Sequence, residues 1–400
     1  MPAATPLPRG PSVLTLYSAD DLLTAPGCSV CRYATETADR YLGWFALEGH
    51  AQPAMITRLC ASLGMCARHT RRLMSQPGAA YRLTAVYRYV MTAARDQLAC
   101  SRVRAVACPG CEHDDAAASR ALDTLLEGLA DGAVRHKYRD LGGLCLPHLD
   151  AAAAGGPRRV VSWLNETLRE RIDAGGVPCD WLAGTDRDAD VRALLRRALP
   201  LPAADATAAC PPCLAAAVAE MNALERLPDL ANDGPDAAFA LCAQHLADAA
   251  TAAGGAASLR KLLAWQAHCR VRQPQNGSVP WLRGRRSRDP AGQCDVCRVG
   301  RDAAQRALAP VSGTRTVPGA PLLCVRHQVI LSTDNPRASN AFAPAAARRA
   351  HELAEELAAA FERTAQARSL HRAVPESDAW RRAAAFLDGE VFGGCPPRLS

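Results

Sequence analysis

Cysteine and histidine recur in pairs at metal-ligand spacing along this 400-residue chain. Four times a CxxC pair is followed, after 26 to 34 residues, by a CxxH pair. A CxxC offers two thiolates to one ion, and a second pair completes a tetrahedron of three sulfurs and one nitrogen, a common donor set for structural Zn²⁺. The candidate ligands, repeat by repeat, are Cys28, Cys31, Cys66 and His69; Cys108, Cys111, Cys145 and His148; Cys210, Cys213, Cys242 and His245; and Cys294, Cys297, Cys324 and His327.

The order of the pairs predicts that each ion is held within one repeat. The 33 residues between "CPGC" and "GLCLPH" are enough for one helix and a returning loop, which would bring Cys145 and His148 to Cys108 and Cys111. The alternative is an exchange, with Cys145 and His148 serving the ion of "CPPC" at 210–213. In either case each ion is expected between two helix N-termini, where free N–H groups favour thiolates.

Two other interpretations of these cysteines stay open. Free cysteine packs well as a small buried hydrophobe, although packing does not require CxxC before CxxH four times. Iron–sulfur clusters also use cysteine with occasional histidine. The remaining five cysteines have no partner at ligand spacing, and they are Cys60, Cys100, Cys179, Cys269 and Cys395.

The first two repeats resemble a known family. The stretches "CSVCR", "ADRYLGWFALEGH" and "SLGMCARH", with "CPGC", "LLEGLAD" and "GGLCLPHL" in the second repeat, are similar to an uncharacterised bacterial family with CPxC…GxCxxH repeats. The resemblance implies that these cysteines and histidines bind zinc, and it implies no particular activity. Repeats three and four lack the glycine that stands two positions before the third ligand, Gly64 and Gly143 in repeats one and two.

The elements that must position these ligands are predicted to be helices. After each CxxC apolar residues recur at helical spacing, for example Leu122, Leu125, Leu126 and Leu129 in the second repeat. A short helix is expected after each CxxH, followed by a longer amphipathic helix. We therefore predict an all-α fold of four tandem zinc-stabilised modules, each with the order CxxC, helix, loop, CxxH, helix, turn, helix.

Linkers are predicted where proline, glycine and charge gather. The predicted organisation is an N-terminal tail (1–25), zinc module 1 (26–105), zinc module 2 (106–198), a linker (199–209), zinc module 3 (210–271), a basic Pro/Gly linker (272–293), zinc module 4 with C-terminal helices (294–391) and a tail (392–400).

Composition favours a cytoplasmic protein. The chain is 49% hydrophobic, enough for real cores, but it has no run of about 18 uncharged apolar residues and no signal-peptide pattern at its start. An odd number of cysteines, 17, in a long chain without an export signal argues against a disulfide framework. We therefore expect no membrane partner.

Charge leaves nucleic-acid binding as an alternative. The formal net charge is +7, and four sites of three thiolates around one Zn²⁺, each about −1, would reduce it to about +3. The basic stretch "RGRRSR" at 283–288 remains, either as a solvated linker or as a phosphate-contacting arm.

Catalytic patterns are missing from the sequence. "HELAE" at 351–355 has Glu355 where a metalloprotease helix needs its second histidine, and a closed site of four protein ligands leaves no position for a reacting water. The sequence therefore favours a non-enzymatic zinc-binding interaction or scaffold protein with an unnamed protein partner and up to four structural Zn²⁺. The alternatives are a nucleic-acid-associated regulator acting through 283–288 and a thiol redox sensor that releases zinc on oxidation.

Overall fold

A computed structural model describes residues 11–74, 76, 79–100, 106–173, 210–226, 245, 294–313, 323–370 and 379–388. Within these ranges the chain is almost entirely helical, which confirms the all-α prediction. The only strand pairing in the described residues is a two-residue parallel pair, β1 (Gly27–Cys28) beside β2 (Gly142–Gly143). The predicted linkers 199–209 and 272–293 lie outside the described ranges.

The helices of the first two repeats follow one another closely along the chain. They are α1 (Val13–Leu22), α2 (Ser29–Leu47), α3 (Pro53–Ala61), α4 (Ala67–Met74), α5 (Ala79–Ala99), α6 (Pro109–Gly128), α7 (Gly132–Asp140), α8 (Leu146–Gly155) and α9 (Arg158–Asp173), with a 3₁₀ turn at Gly49–Ala51. The described helices of the remaining chain are α10 (Pro211–Glu225), α11 (Asp295–Gly313), α12 (Val325–Asp334), α13 (Pro336–Ser369) and α14 (Ala379–Asp388).

Each CxxC begins a helix, as the sequence predicted. Cys28, Cys108 and Cys210 are the N-cap residues of α2, α6 and α10. None of the three makes a side-chain capping hydrogen bond, because its thiol is turned toward other cysteines and a histidine. Proline at the first helical position of α6 and α10 suits a place where no intrahelical N–H bond is needed.

The segment between the two pairs of a repeat differs from the predicted helix and loop. In the first two repeats a second short helix, α3 or α7, lies before the CxxH pair. Local chemistry accounts for both helices. Pro53 occupies the first turn of α3, and the carboxylate of Asp131 accepts hydrogen bonds from the backbone N–H groups of Ala133 and Val134 at the start of α7.

Two large apolar cores hold most of the described helices together, and a smaller one around Leu308, Leu331 and Phe342 joins α11, α12 and α13. One is built around α5 and α13, with α3, α14 and part of α2 packed against them, and Val90, Leu353 and Leu357 are fully buried in it. The other joins α1, α6, α7, α8 and α9 around Leu125 and Leu129. The long helices that follow the CxxH pairs of repeats one and four therefore pack against each other, although some 240 residues of sequence separate them.

None of the helices in the described ranges combines the length and the apolar character needed to cross a bilayer.

Candidate metal centres

Four groups of cysteine and histidine side chains come together in the described structure, and each could hold a metal ion. Within each group the candidate ligand atoms all lie within 4.8 Å of one another. We name them cluster 1 (Cys28, Cys31, Cys145 and His148), cluster 2 (Cys66, His69, Cys108 and Cys111), cluster 3 (Cys210, Cys213, Cys324 and His327) and cluster 4 (His245, Cys294 and Cys297).

The composition of the clusters shows that the predicted pairing within a repeat is wrong. Cys145 and His148 lie beside Cys28 and Cys31, and not beside Cys108 and Cys111. The alternative partner at 210–213 is also wrong, because those cysteines lie with Cys324 and His327. Repeats one and two therefore exchange pairs, and so do repeats three and four, where His245 is the described member of the CxxH of repeat three.

A physical reason for the exchange is visible at clusters 1 and 2. The parallel pairing of β1 with β2 places Cys28 opposite Gly143, two residues before Cys145. Helices α2 and α6 pack against each other, with the N-terminus of α2 directed to cluster 1 and that of α6 to cluster 2. The second helix between the pairs, α3 or α7, carries each CxxH away from its own CxxC.

The distances in cluster 1 match the edges of a tetrahedron around one ion. With Zn–S near 2.3 Å and Zn–N near 2.0 Å, tetrahedral angles separate two sulfurs by about 3.8 Å and a sulfur from a nitrogen by about 3.5 Å. The Sγ atoms of Cys31 and Cys145 are 3.5 Å apart. His148 Nδ1 lies 3.4 Å from Cys28 Sγ and 3.0 Å from Cys145 Sγ.

Cluster 2 has the same arrangement. Cys66 Sγ and Cys111 Sγ are 3.6 Å apart, and His69 Nδ1 lies 3.6 Å from Cys111 Sγ and 3.7 Å from Cys108 Sγ. A disulfide needs sulfurs about 2.0 Å apart, so the Cys66 and Cys111 sulfurs are not bonded. The backbone N–H of Cys66 also donates to Cys108 Sγ at 3.3 Å, as expected for a thiolate at a helix start.

Clusters 3 and 4 extend the pattern to the second half of the chain. In cluster 3, Cys213 Sγ is 3.6 Å from Cys324 Sγ and 3.3 Å from His327 Nδ1. In cluster 4, His245 Nδ1 is 3.2 Å from Cys294 Sγ and 3.3 Å from Cys297 Sγ. Cys242, which was predicted to bind the same ion as His245, lies outside the described residues.

Without a cation the buried thiols of cluster 1 differ in pKa. Burial raises the pKa of Cys28, but hydrogen bonds from Cys145, Cys31 and His148 outweigh it and hold this pKa well below its usual value. Burial raises the pKa of Cys145 well above its usual value, and its hydrogen bonds with Cys28 and Cys31 add to the effect. One thiolate is thus stable alone, and a cation is needed for all three cysteines to ionise together.

Two histidines have a carboxylate behind the ring. His69 Nε2 lies 3.0 Å from Asp114 Oδ2, and both side chains are buried. His245 Nε2 lies 3.7 Å from Glu220 Oε2. At His69 the hydrogen bond to the carboxylate fixes the tautomer so that Nδ1 is free to bind metal, and it makes the ring a stronger ligand. At His245 the longer distance is that of an ion-pair contact.

Glycine is required where a histidine or its carboxylate approaches a helix. A Cβ at Gly110 would lie 2.6 Å from His69 Cγ, so "CPGC" leaves room for the ring of His69. A Cβ at Gly300 would overlap the carboxylate of Glu220. Both glycines are therefore part of the positioning of cluster histidines.

Sequence reasoning missed Asp114 and Glu220. Asp114 stands three residues after Cys111, one helical turn along α6, and that spacing was a readable signal. Glu220 lies on α10, whose CxxC serves cluster 3, but it faces the histidine of cluster 4. No local spacing indicates that contact.

The cysteines without a partner at ligand spacing stay outside the clusters wherever the structure describes them. Cys60 is half-buried and Cys100 is exposed, and neither belongs to a cluster. Cys179, Cys269 and Cys395 lie outside the described residues.

Comparisons of the chain with protein-family models, with curated proteins and with solved structures found no match. The family resemblance noted in the sequence therefore stays a prediction, and the clusters have to be interpreted from their own geometry.

Proposed function

We propose that this chain is a non-enzymatic interaction or scaffold protein whose helices are fixed by four structural Zn²⁺ ions. The observation that carries the proposal is the donor set: three clusters of three cysteines and one histidine at tetrahedral spacing. Such a set matches zinc in softness and geometry, and it leaves no open position for a substrate or a reacting water. The proposed fourth ligand of cluster 4 is Cys242, which precedes His245 at the CxxH spacing of the other repeats.

The ions tie together segments that are distant in sequence. Cluster 1 joins Cys31 to Cys145, and cluster 3 joins Cys213 to Cys324, across 114 and 111 residues. Structural zinc contributes about 10 kcal/mol or more to the folding of small units. Metal in these positions supports a rigid array of helical surfaces, which is what a scaffold requires.

Cobalt substitution tests whether the sites are closed. The full-length protein, loaded with Co²⁺, should show the intense visible bands of tetrahedral cobalt with thiolate charge transfer, and azide or cyanide should leave the bands unchanged. A shift of these bands on adding azide would reveal an open coordination position and overturn the non-enzymatic assignment. Elemental analysis of the protein as purified should show zinc, and iron in a brown preparation would favour iron–sulfur clusters.

A thiol redox sensor is the second candidate, and the exposure of cluster 2 favours it. Cys108 and Cys111 are both partly exposed, and each has sulfur neighbours in the cluster. Oxidation by hydrogen peroxide would join two of these thiolates in a disulfide, consume two protons, produce two waters and free the ion. Zinc release at low peroxide that a thiol reductant reverses would support this function, and resistance of all four sites would exclude it.

The remaining alternative, a nucleic-acid-associated regulator, depends on residues 283–288, which lie outside the described residues.

A further inference from the structure

An open cavity of about 710 Å³ lies between α2, α3 and α6. Its volume falls in the range of pockets that hold small organic ligands, roughly 300–1,000 Å³. None of the cluster ligands lines it, although Pro109 and Glu112 on its wall stand beside Cys108 and Cys111. The cavity is therefore a feature of its own, next to cluster 2.

One wall of the cavity is aromatic. The rings of Tyr41 and His113 are stacked, with centroids 4.3 Å apart and planes at 26°. The ring of Trp44 lies 5.9 Å from that of Tyr41. The Tyr41 hydroxyl donates to the sulfur of Met55 at 3.6 Å, which fixes the ring position. Tyr41 is only 9% exposed, so it supports the ring of His113, and the accessible part of the wall is formed by Trp44, which is half-buried, and His113, which is exposed.

The backbone at Gly49 holds Trp44 in this wall. A Cβ at Gly49 would lie 2.7 Å from the indole ring, so the ring packs directly against the glycine. Gly49 itself is buried in the 3₁₀ turn that follows α2. The indole is supported from behind, and it remains part of the cavity lining.

The rest of the lining carries an excess of positive charge. Arg40, Arg58 and Arg120 line the cavity together with one acidic residue, Glu112. Three arginines against one glutamate leave two positive charges uncompensated. Arg58 forms an ion pair with Glu112, whereas Arg40 donates to Thr37 Oγ1 at 3.0 Å and has no acidic partner in this cavity.

We propose that this cavity binds a nucleotide, with the base against the rings of Trp44 and His113 and the phosphate on Arg40 and Arg120. The guanidinium group matches phosphate oxygens in pairs, and stacking on an aromatic side chain contributes about 1–3 kcal/mol per base. A neutral aromatic ligand would leave the arginines unused, and inorganic phosphate would leave the aromatic wall unused. The nucleotide is either free or part of a single-stranded nucleic acid, since both present the same base and phosphate.

Calorimetric titration of the zinc-loaded full-length protein tests the proposal. The probes are adenosine monophosphate, adenosine and inorganic phosphate. Adenosine monophosphate should bind at least about tenfold more tightly than either of the other two, because only it uses both walls. Absence of heat with adenosine monophosphate, or equal binding of adenosine, would overturn the proposal.

Substitutions on the wall test the location. Arg40→Ala and Arg120→Ala should each weaken binding of adenosine monophosphate by about fivefold or more through loss of a charge-assisted contact. Glu112→Gln should tighten it, because this change frees Arg58 and removes a negative charge from the cavity. Arg159→Ala, at an exposed position on α9, is the matched control and should leave binding unchanged.

The source of the nucleotide is tested separately. A hexanucleotide of deoxyadenylate that binds more tightly than adenosine monophosphate, and that is weakened by Arg40→Ala, indicates a nucleic-acid strand, whereas weaker binding indicates a free nucleotide. If the wall variants bind adenosine monophosphate as the parent protein does, the site is not this cavity and the proposal fails. Zinc content, measured on every variant, reports independently on the structural role of the metal.

Discussion

Glu220 occupies the space that the missing side chain of Gly300 leaves between α10 and α11. The carboxylate passes over Gly300 and comes within 3.7 Å of His245 Nε2. A glycine on α11 therefore allows a residue of α10 to approach the histidine of cluster 4. At the corresponding position of cluster 2, three residues after the CxxC, stands Asp114, which orients His69 from the same helix.

The first prediction is that Gly300→Ala weakens metal binding at cluster 4. Alanine normally stabilises a helix by about 1 kcal/mol relative to glycine, so a loss must come from displacement of Glu220. Competition with a chromophoric chelator should show one zinc ion released much more readily than in the parent protein.

Gly132→Ala is the control for this change, because a Cβ at Gly132 meets no atom within 4 Å. It should leave zinc affinity unchanged and stability equal or slightly higher. If the Gly300→Ala protein keeps all its zinc with the affinity of the parent protein, the position of Glu220 over Gly300 is not needed for metal binding.

The second prediction concerns the exchange of pairs between repeats. Cys145→Ser should lose one zinc ion, and the Cys28→Ser, Cys145→Ser double variant should lose no more, because both residues belong to cluster 1. The Cys108→Ser, Cys145→Ser double variant should lose two. Elemental analysis after dialysis against a low concentration of free zinc gives the count.

The opposite pattern of zinc loss would show that each ion is held within one repeat. In that case the Cys108→Ser, Cys145→Ser variant would lose one ion and the Cys28→Ser, Cys145→Ser variant two.

The third prediction concerns the carboxylate behind His69. Asp114→Asn should weaken zinc binding at cluster 2 by about 10–100-fold, the usual effect of removing such a partner. Asp123→Asn, at an exposed position on the same helix, should have no effect. Equal zinc affinities of the two variants would show that Asp114 does not support the ligand.

The fourth prediction concerns the contact between α5 and α13. Leu353 is 0% exposed in the core that these helices share, and Leu353→Ala should lower the free energy of unfolding by about 2–5 kcal/mol. Leu370→Ala, at a position 53% exposed, should change it by less than about 0.5 kcal/mol. Thermal or denaturant unfolding of the zinc-loaded protein measures both, and equal stability of the two variants would contradict the packing.

The members of the clusters were predictable from the sequence because the spacing within each pair is local. A CxxC or CxxH places both members of a pair within one helical turn, so residue type and spacing alone identify Cys28 with Cys31, or Cys145 with His148. Which pairs meet depends on the path of the chain between them. The β1–β2 pairing and the short helices α3 and α7 decide this path, and they leave no periodic signal in the sequence.

The all-α class followed from periodicity for a similar reason. Apolar residues at helical spacing, such as Leu122, Leu125 and Leu129, predict a helix with a buried face, and these residues are buried on α6 and in the turn after it. The partner of such a face is not encoded locally. Nothing in the repeat pattern indicates that α5 packs on α13.

For the metal binding proposed above, the exchange of pairs sets an order in which the sites are completed during synthesis. All residues of cluster 2, from Cys66 to Cys111, lie in the chain between the first and the last residue of cluster 1, Cys28 and His148. A ribosome therefore delivers a complete cluster 2 while Cys28 and Cys31 still await ligands that have not been translated. Cys28 and Cys31 are thus synthesised first in this half of the chain but reach their partners last, so we expect a wrong metal or an oxidant to act on the nascent chain mainly at these two thiols.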